Sequence, residues 1–354
     1  MQIDSLAPRR ALPLAAAITA MALPFAALAD LPPVSVGAGV RTSFTYFDAD
    51  DADIETSDFE LNSARIYLGG KVTENISVMF NTEYTPGSED IEVIDAVAQF
   101  SFSEQFNIWA GRFLPPSDRA NLYGPYYASH WGVYQDGVQD GYPFETNGRA
   151  DGLMYWGQFG IAKIAFGAFD IQGVTKGSSD VLYAARVQLD FWDPEGGYYL
   201  NGSYYGEKDL LAIGFAGQNA SGENAYSFDF LLEKKLGNSG VVTFEAEYAV
   251  YDGLGGYGTP LGGGYDKSDG FYVLGAYLFP AEIGIGKLQV LGKFGETTFE
   301  FAGGDLEQKT FEFNLNYIMK SFNARAFLFY IDHSWDPDVG ADSKQIGLGL
   351  QVQI

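Results

Sequence analysis

From residue 34 onward, apolar residues alternate with small or polar ones. In 34–47 one face is Val36, Ala38, Val40, Thr42, Phe44 and Tyr46. The other is Ser35, Gly37, Gly39, Arg41, Ser43 and Thr45. Successive side chains of a strand point to opposite faces, so this period of two predicts a strand with one apolar and one small, polar face. Similar runs follow at about 58–71, 75–85, 91–102, 105–113, 151–158, 161–170, 180–192, 210–217, 225–236, 241–252, 271–279, 286–297, 309–320, 321–332 and 344–354. That makes sixteen. Several have about ten residues or slightly more, the length a tilted strand needs to cross a hydrocarbon layer. A single strand leaves two solutions open. Apolar outside and polar inside gives a transmembrane barrel; the reverse gives a soluble sandwich.

The connections favour the barrel. Short ones fall at 73–75, 103–104, 159–160, 237–240 and 280–285. Between them lie longer ones at 48–57, 114–150, 171–179, 252–270, 299–308 and 333–343. Short turns at one rim and long loops at the other are expected of an outer-membrane barrel. The stretch Trp192 to Asp209 resists the scheme, because a strand there would make seventeen and invert the alternation afterwards. It is therefore taken as a long connection on the short-turn side. The predicted fold is all-β: a transmembrane antiparallel β-barrel of about sixteen strands.

Residues 114–150 keep no clear period. An ordered loop that long is uncommon in a strand-rich chain and is usually functional. As the third loop on the long side, the extracellular one, it is expected to fold inward and narrow the pore. Its charges are Asp118, Arg119, Asp136, Asp140, Glu145 and Arg149. Its aromatics are Tyr123, Tyr126, Tyr127, Trp131, Tyr134, Tyr142 and Phe144, which either pack the loop on the wall or guide sugars along it.

Composition narrows the classes. The chain has 354 residues, 44 of them glycine, and no cysteine, which excludes thiol catalysis and cysteine metal sites. A net charge of −25 opposes nucleic acid as a partner. Arg9 and Arg10, the apolar run 11–25 and Ala27-Leu28-Ala29 form a signal-peptide pattern, giving residues 1–29 as leader and 30–354 as barrel. No later stretch holds about 18 apolar residues in a row, so no transmembrane helix is expected. Export then leads either to a soluble product or to a barrel.

Four segments carry a resemblance to the phosphate-selective porin O and P family of Gram-negative outer membranes. They are ARIYLGGKVTENISVMFNTEY (64–84), AVAQFSFSEQFNIWAGRFLPPSD (96–118), ADGLMYWGQFGIAKIAFGAFD (150–170) and AARVQLDFWDPEGGYYLNGSYYGEKDLLAIGFAG (184–217). The resemblance implies a sixteen-stranded channel, usually a homotrimer, with Gly111-Arg112-Phe113 where the inward loop begins. Phosphate-selective members line the constriction with lysines, whereas here no lysine lies between Lys71 and Lys163. An acidic rim favours cations and a basic one anions, so phosphate selectivity does not carry over.

Arg41, Arg65, Arg112, Arg186 and Arg325 are expected on the lumen wall, because an arginine facing lipid at midplane costs roughly 2–4 kcal/mol. There they either set up a field across the pore or hold the acidic loop. Glu83, Asp95, Asp190, Asp229, Glu245, Glu247 and Glu312 fall on the same faces. The acidic run 48–58 suits divalent cations shared with lipopolysaccharide, but it lacks the glycine of a calcium loop. Neither His130 nor His333 sits in a catalytic or metal motif. The expected function is passive diffusion of small hydrophilic solutes and ions, without enzymatic activity, cofactor or metal. The alternatives are a channel preferring phosphate, other anions or sugars, and a surface or adhesion barrel. The expected partners are outer-membrane lipid, lipopolysaccharide, small solutes and two further copies of the chain.

Overall fold

The computed structural model describes residues 34–49, 54–85, 90–139, 148–170, 181–220, 222–254, 266–337 and 342–354. Sixteen strands close into one antiparallel barrel in which each strand pairs with its sequence neighbours and the first pairs with the last. They are β1 (Val34–Ala49), β2 (Ile54–Lys71), β3 (Ile76–Thr85), β4 (Asp90–Ser103), β5 (Phe106–Phe113), β6 (Ala150–Phe159), β7 (Ala162–Asp170), β8 (Val181–Asp190), β9 (Leu210–Ala220), β10 (Glu223–Lys235), β11 (Val241–Asp252), β12 (Lys267–Ile283), β13 (Gly286–Phe301), β14 (Gly304–Lys320), β15 (Ala324–Asp336) and β16 (Ser343–Gln353). The seam is held by the β1–β16 ladder, as in Thr42 opposite Leu350. It extends to the last residue, where Ile354 N–H donates to Ala38 O at 2.9 Å.

All sixteen strands lie where the alternation predicts them, and none forms between β8 and β9. Several outrun the prediction at the long-connection rim. β2 has 18 residues and β14 has 17. The connection expected over 299–308 shrinks to Ala302 and Gly303, because Thr297–Phe301 and Gly304–Gln308 pair with each other. At the other rim Pro280 falls in a register shift between Leu278 and Glu282. A bulge is where a strand tolerates a residue with no N–H to donate.

The faces decide between barrel and sandwich. Val36, Leu348 and Val352, on the outward face, are 70%, 61% and 46% exposed. Gln289, Asn314, Asn316 and Gln351, on the inward face, are 1% exposed or less. A continuous apolar exterior around a polar interior suits a lipid solvent, whereas water would make it an aggregation surface.

Candidate functional site

The segment after β5 touches inward-facing side chains from many strands. Its helix α1 (Arg119–Tyr127) starts at Asp118, whose carboxylate caps it by accepting from Asn121 N–H at 2.8 Å. Gly124 adopts φ 60°, open to glycine at little cost, and the chain turns there before Pro125. Tyr126 then seats against Ser63 Oγ (2.9 Å). A Cβ on Gly39 would stand 2.7 Å from the Tyr126 ring, and one on Gly349 2.4 Å from the Trp131 ring. The small inward faces of β1 and β16 are therefore filled here by loop aromatics rather than by solvent.

Wall groups grip this segment with both signs of charge. Arg41 donates to Trp131 O (3.3 Å) and lies 4.4 Å over its ring. Arg325 donates to Ala128 O (2.5 Å) and Tyr126 O (3.0 Å). Arg186 donates to Ser117 O (3.0 Å) and grips Asp229 through both terminal nitrogens (2.5 and 2.8 Å). The carboxylates take the amides: Glu312 accepts from Trp131 N–H and Gly132 N–H (3.0 and 2.9 Å), and Glu247 from Ala120 N–H (3.2 Å). Glu245 accepts from the Tyr123 hydroxyl (2.8 Å). Lys293 pairs with Asp136 at 2.6 Å. Each bond satisfies backbone or charge that burial would otherwise leave costly.

A second segment meets the first. Between β8 and β9, residues 191–209 run in from the short-turn rim. Glu195 pairs with Arg119, and both side chains are fully buried. Leu200 N–H donates to Leu122 O (3.2 Å), Gly202 N–H to Tyr127 O (2.9 Å) and the Tyr198 hydroxyl to Leu114 O (2.8 Å). Tyr199 reaches Asp95 (3.2 Å), and the Ser203 hydroxyl reaches Glu233 (2.7 Å). The stretch is a connection, as the alternation predicts, but the burial of its Glu195, Tyr198, Leu200 and Ser203 has no signal in the sequence.

The electrostatics follow burial. Burial alone would raise the Glu195 carboxyl, but the Arg119 guanidinium overrides it and holds the group below its ordinary range. Burial pushes the capping carboxyl of Asp118 up, against the hydrogen bonds from Asn121 and Ser117. His130 is pushed well down, first by burial and then by Lys293, Arg41 and Arg325. Lys293 Nζ lies 3.1 Å from its Nε2, so that nitrogen accepts and the ring is neutral. Below the ordinary value of 6.5 the unfolded chain binds a proton that the folded one refuses. This group therefore leaves stability flat above that pH and lowers it progressively below. Thermal unfolding followed across that range should show the loss, and His130→Gln should remove it; equal slopes would refute this assignment.

The predicted site residues divide into groups. Arg41, Arg186 and Arg325 are inward and hold the loop, as do Asp118, Arg119 and Asp136 from the loop itself. Arg65 is inward, paired with Glu83 and 4.7 Å over the Tyr126 ring. Arg149 pairs with Asp95 at 3.4 Å. Arg112 is a correction: it faces outward, against Asp151 of β6 at 2.8 Å. The inward positions of β5 are Asn107, Trp109 and Phe113 instead. Asp140 and Glu145 lie outside the described residues. Lys293 and Glu195 were missed as loop partners; the only sequence signal was a buried-face position on a strand for the first and none for the second.

No protein-family model matches the chain, and no curated protein matches it. Solved structures do share its fold. The anion-selective porin of Comamonas acidovorans aligns at 13% identity over 91% of this chain and 99% of that one, with a TM-score of 0.57. OmpF of Salmonella typhi, solved with daunomycin, aligns at 15% over 91% and 98%, with 0.59. OprB of Pseudomonas putida aligns at 9% over 93% and 96%, with 0.61. The chain thus has the sixteen-stranded fold of Gram-negative outer-membrane porins.

Proposed function

We propose that the protein is an outer-membrane porin through which small hydrophilic solutes and ions diffuse passively, with 114–150 as its constriction. The observation that carries the reading is a closed barrel with an apolar exterior and a polar interior. The loop hydrogen-bonds to wall residues on β1, β2, β8, β11, β14 and β15, which supports its crossing the lumen. Selection then works by size at the loop and by the field of Arg65, Arg149, Asp95 and Glu83 beside it.

The sequence resemblance points to the phosphate-selective porin O and P family, and with it to a homotrimer. Phosphate selectivity is left out of the reading. The described part of the loop has no lysine, and Lys293, which the wall brings to it, is neutralised by Asp136. The outward Arg112–Asp151 pair lies beside the loop root, where a lipopolysaccharide headgroup layer or a neighbouring subunit could receive it more cheaply than lipid tails. Residues 1–29 are taken as a cleaved export signal, and mature protein should begin near Asp30 when its N-terminus is sequenced.

Single-channel recording of the purified protein in a planar bilayer tests the reading. Discrete conductance steps with weak ion selectivity in a salt gradient are expected. Absence of steps would replace the channel by a surface or adhesion barrel, and strong anion preference would restore the phosphate reading.

A further inference from the structure

The two segments do not fill the barrel evenly. They leave a cavity of about 620 Å³ against the wall of β1–β4. It reaches the short-turn rim at Ser35 and Asn323 and ends inward at Arg65, Asp95 and Arg149. Its volume lies in the range of sites that enclose a small molecule.

Two features of its lining narrow what it can hold. The first is charge balance. Its charged residues are Arg65, Asp95 and Arg149; Arg149 is paired with Asp95 and Arg65 with Glu83. Each guanidinium is thus matched by a carboxylate, Glu83 acting from outside the lining, so neither an anion nor a cation meets a large net opposite charge. Arg65, Arg149 and Asp95 nonetheless put strong donors and an acceptor at one end of the cavity, joined by Asn81 and Asn201. The second feature is aromatic. Tyr67, Tyr127 and Tyr199 contribute to the lining, with the apolar Met79 and Leu200. Tyr127 is 37% exposed although the chain around it is buried, and Tyr126 beside it is fully covered. Tyr127 packs one side on the Phe322 ring, 5.4 Å between centroids, and its open surface lines the cavity.

We propose that this cavity is a binding site for a neutral, hydroxyl-rich solute with one apolar face, in chemical class a pyranose sugar. The ring face lies on the tyrosines, and the hydroxyls bond to the paired guanidinium and carboxylate groups. The site has its mouth on the short-turn side and is built jointly by 122–127 and 199–201, so the second segment is part of the selectivity device. This deepens the channel reading and rests on it.

Planar-bilayer recording in potassium chloride separates the two claims. Conductance steps establish the channel; without them the channel reading falls and takes this site with it. With steps present, maltotriose added on each side in turn is expected to block the current saturably, and more than polyethylene glycol of the same size. Tyr127→Ala is expected to raise the half-blocking concentration by roughly fivefold, the loss expected for one aromatic contact. Tyr127→Phe, which keeps the ring, should block like the parent. Maltotriose acting no more strongly than the polymer, inorganic phosphate blocking more strongly than the sugar, or an unchanged block in a normally conducting Tyr127→Ala channel would each overturn the site while leaving the channel intact.

Discussion

Replacing Arg119 with alanine is expected to cost about 3–5 kcal/mol, the penalty for stranding one partner of a buried ion pair. Arg119 and Glu195 are both without solvent exposure, and Arg119 also donates to Asn201 O at 3.0 Å. Without the guanidinium, Glu195 keeps the neutral hydrogen-bond partners Gln188 (2.8 Å) and the Tyr204 hydroxyl (3.0 Å), and the Lys163 ammonium acts on it only from beyond ion-pair distance. The pair is also the one ion bridge among the described residues between 114–139 and 191–209, so both should loosen. The unfolding temperature of the folded barrel in detergent should fall, and open-channel noise should rise. The pH dependence has a definite sign. Glu195 is held below its ordinary 4.5, so its contribution is complete above that pH and is lost as pH falls through the lower folded value. Arg119→Ala should flatten that acid-side loss. Joint replacement by methionine should recover much of the stability, because apolar residues of similar volume can replace a buried pair at little cost. A single alanine variant as stable and as quiet as the parent would refute the bridge.

The strands were legible because each has one face in lipid and one in the interior, and a period of two records that division directly. The facing of Arg41, Arg65 and Arg186 followed from the same parity. Arg112 was not legible, for a physical reason. The inward face of β5 is itself apolar, since Trp109 stacks edge-on with Phe113, Tyr198 and Tyr199. With apolar residues on both faces, polarity no longer tells inside from outside. Asp151, the cross-strand neighbour of Arg112, also offers the charge a partner without any lumen, so the cost of facing outward is smaller than for an unpaired arginine. Pairing across the barrel was invisible for a different reason. Glu195 lies 76 residues from Arg119 and Lys293 lies 157 from Asp136, counting 195 minus 119 and 293 minus 136. Only closure of the sheet brings such positions together. The aromatic side chains that read as either packing or a solute track turn out to divide: Tyr123, Tyr126 and Trp131 are buried, while Tyr127 and Tyr134 keep open surface.

Lys293→Ala attacks the far end of the same loop and should cost a similar amount, about 3–5 kcal/mol for a buried acid left unpaired. The lysine and Asp136 are 2% and 1% exposed at their side chains, and the ammonium also lies 4.3 Å over the Tyr272 ring and touches His130. Its loss leaves Asp136 with no cation among its described contacts, although Thr297 still holds the Asp136 carbonyl at 2.9 Å. The loop should therefore stay in the lumen but move at its tip. That predicts a lower unfolding temperature together with flickering of the open state, rather than a wider pore. Lys293→Met separates charge from packing: it keeps the stem against Tyr272 and should lose nearly as much stability as alanine, because the stranded carboxylate dominates. The double variant Lys293→Met with Asp136→Leu should regain most of it. If Lys293→Ala leaves both unfolding and current noise unchanged, the tip is held by its backbone bonds to Glu312, Thr297 and Gln308, and the wall lysine is a bystander.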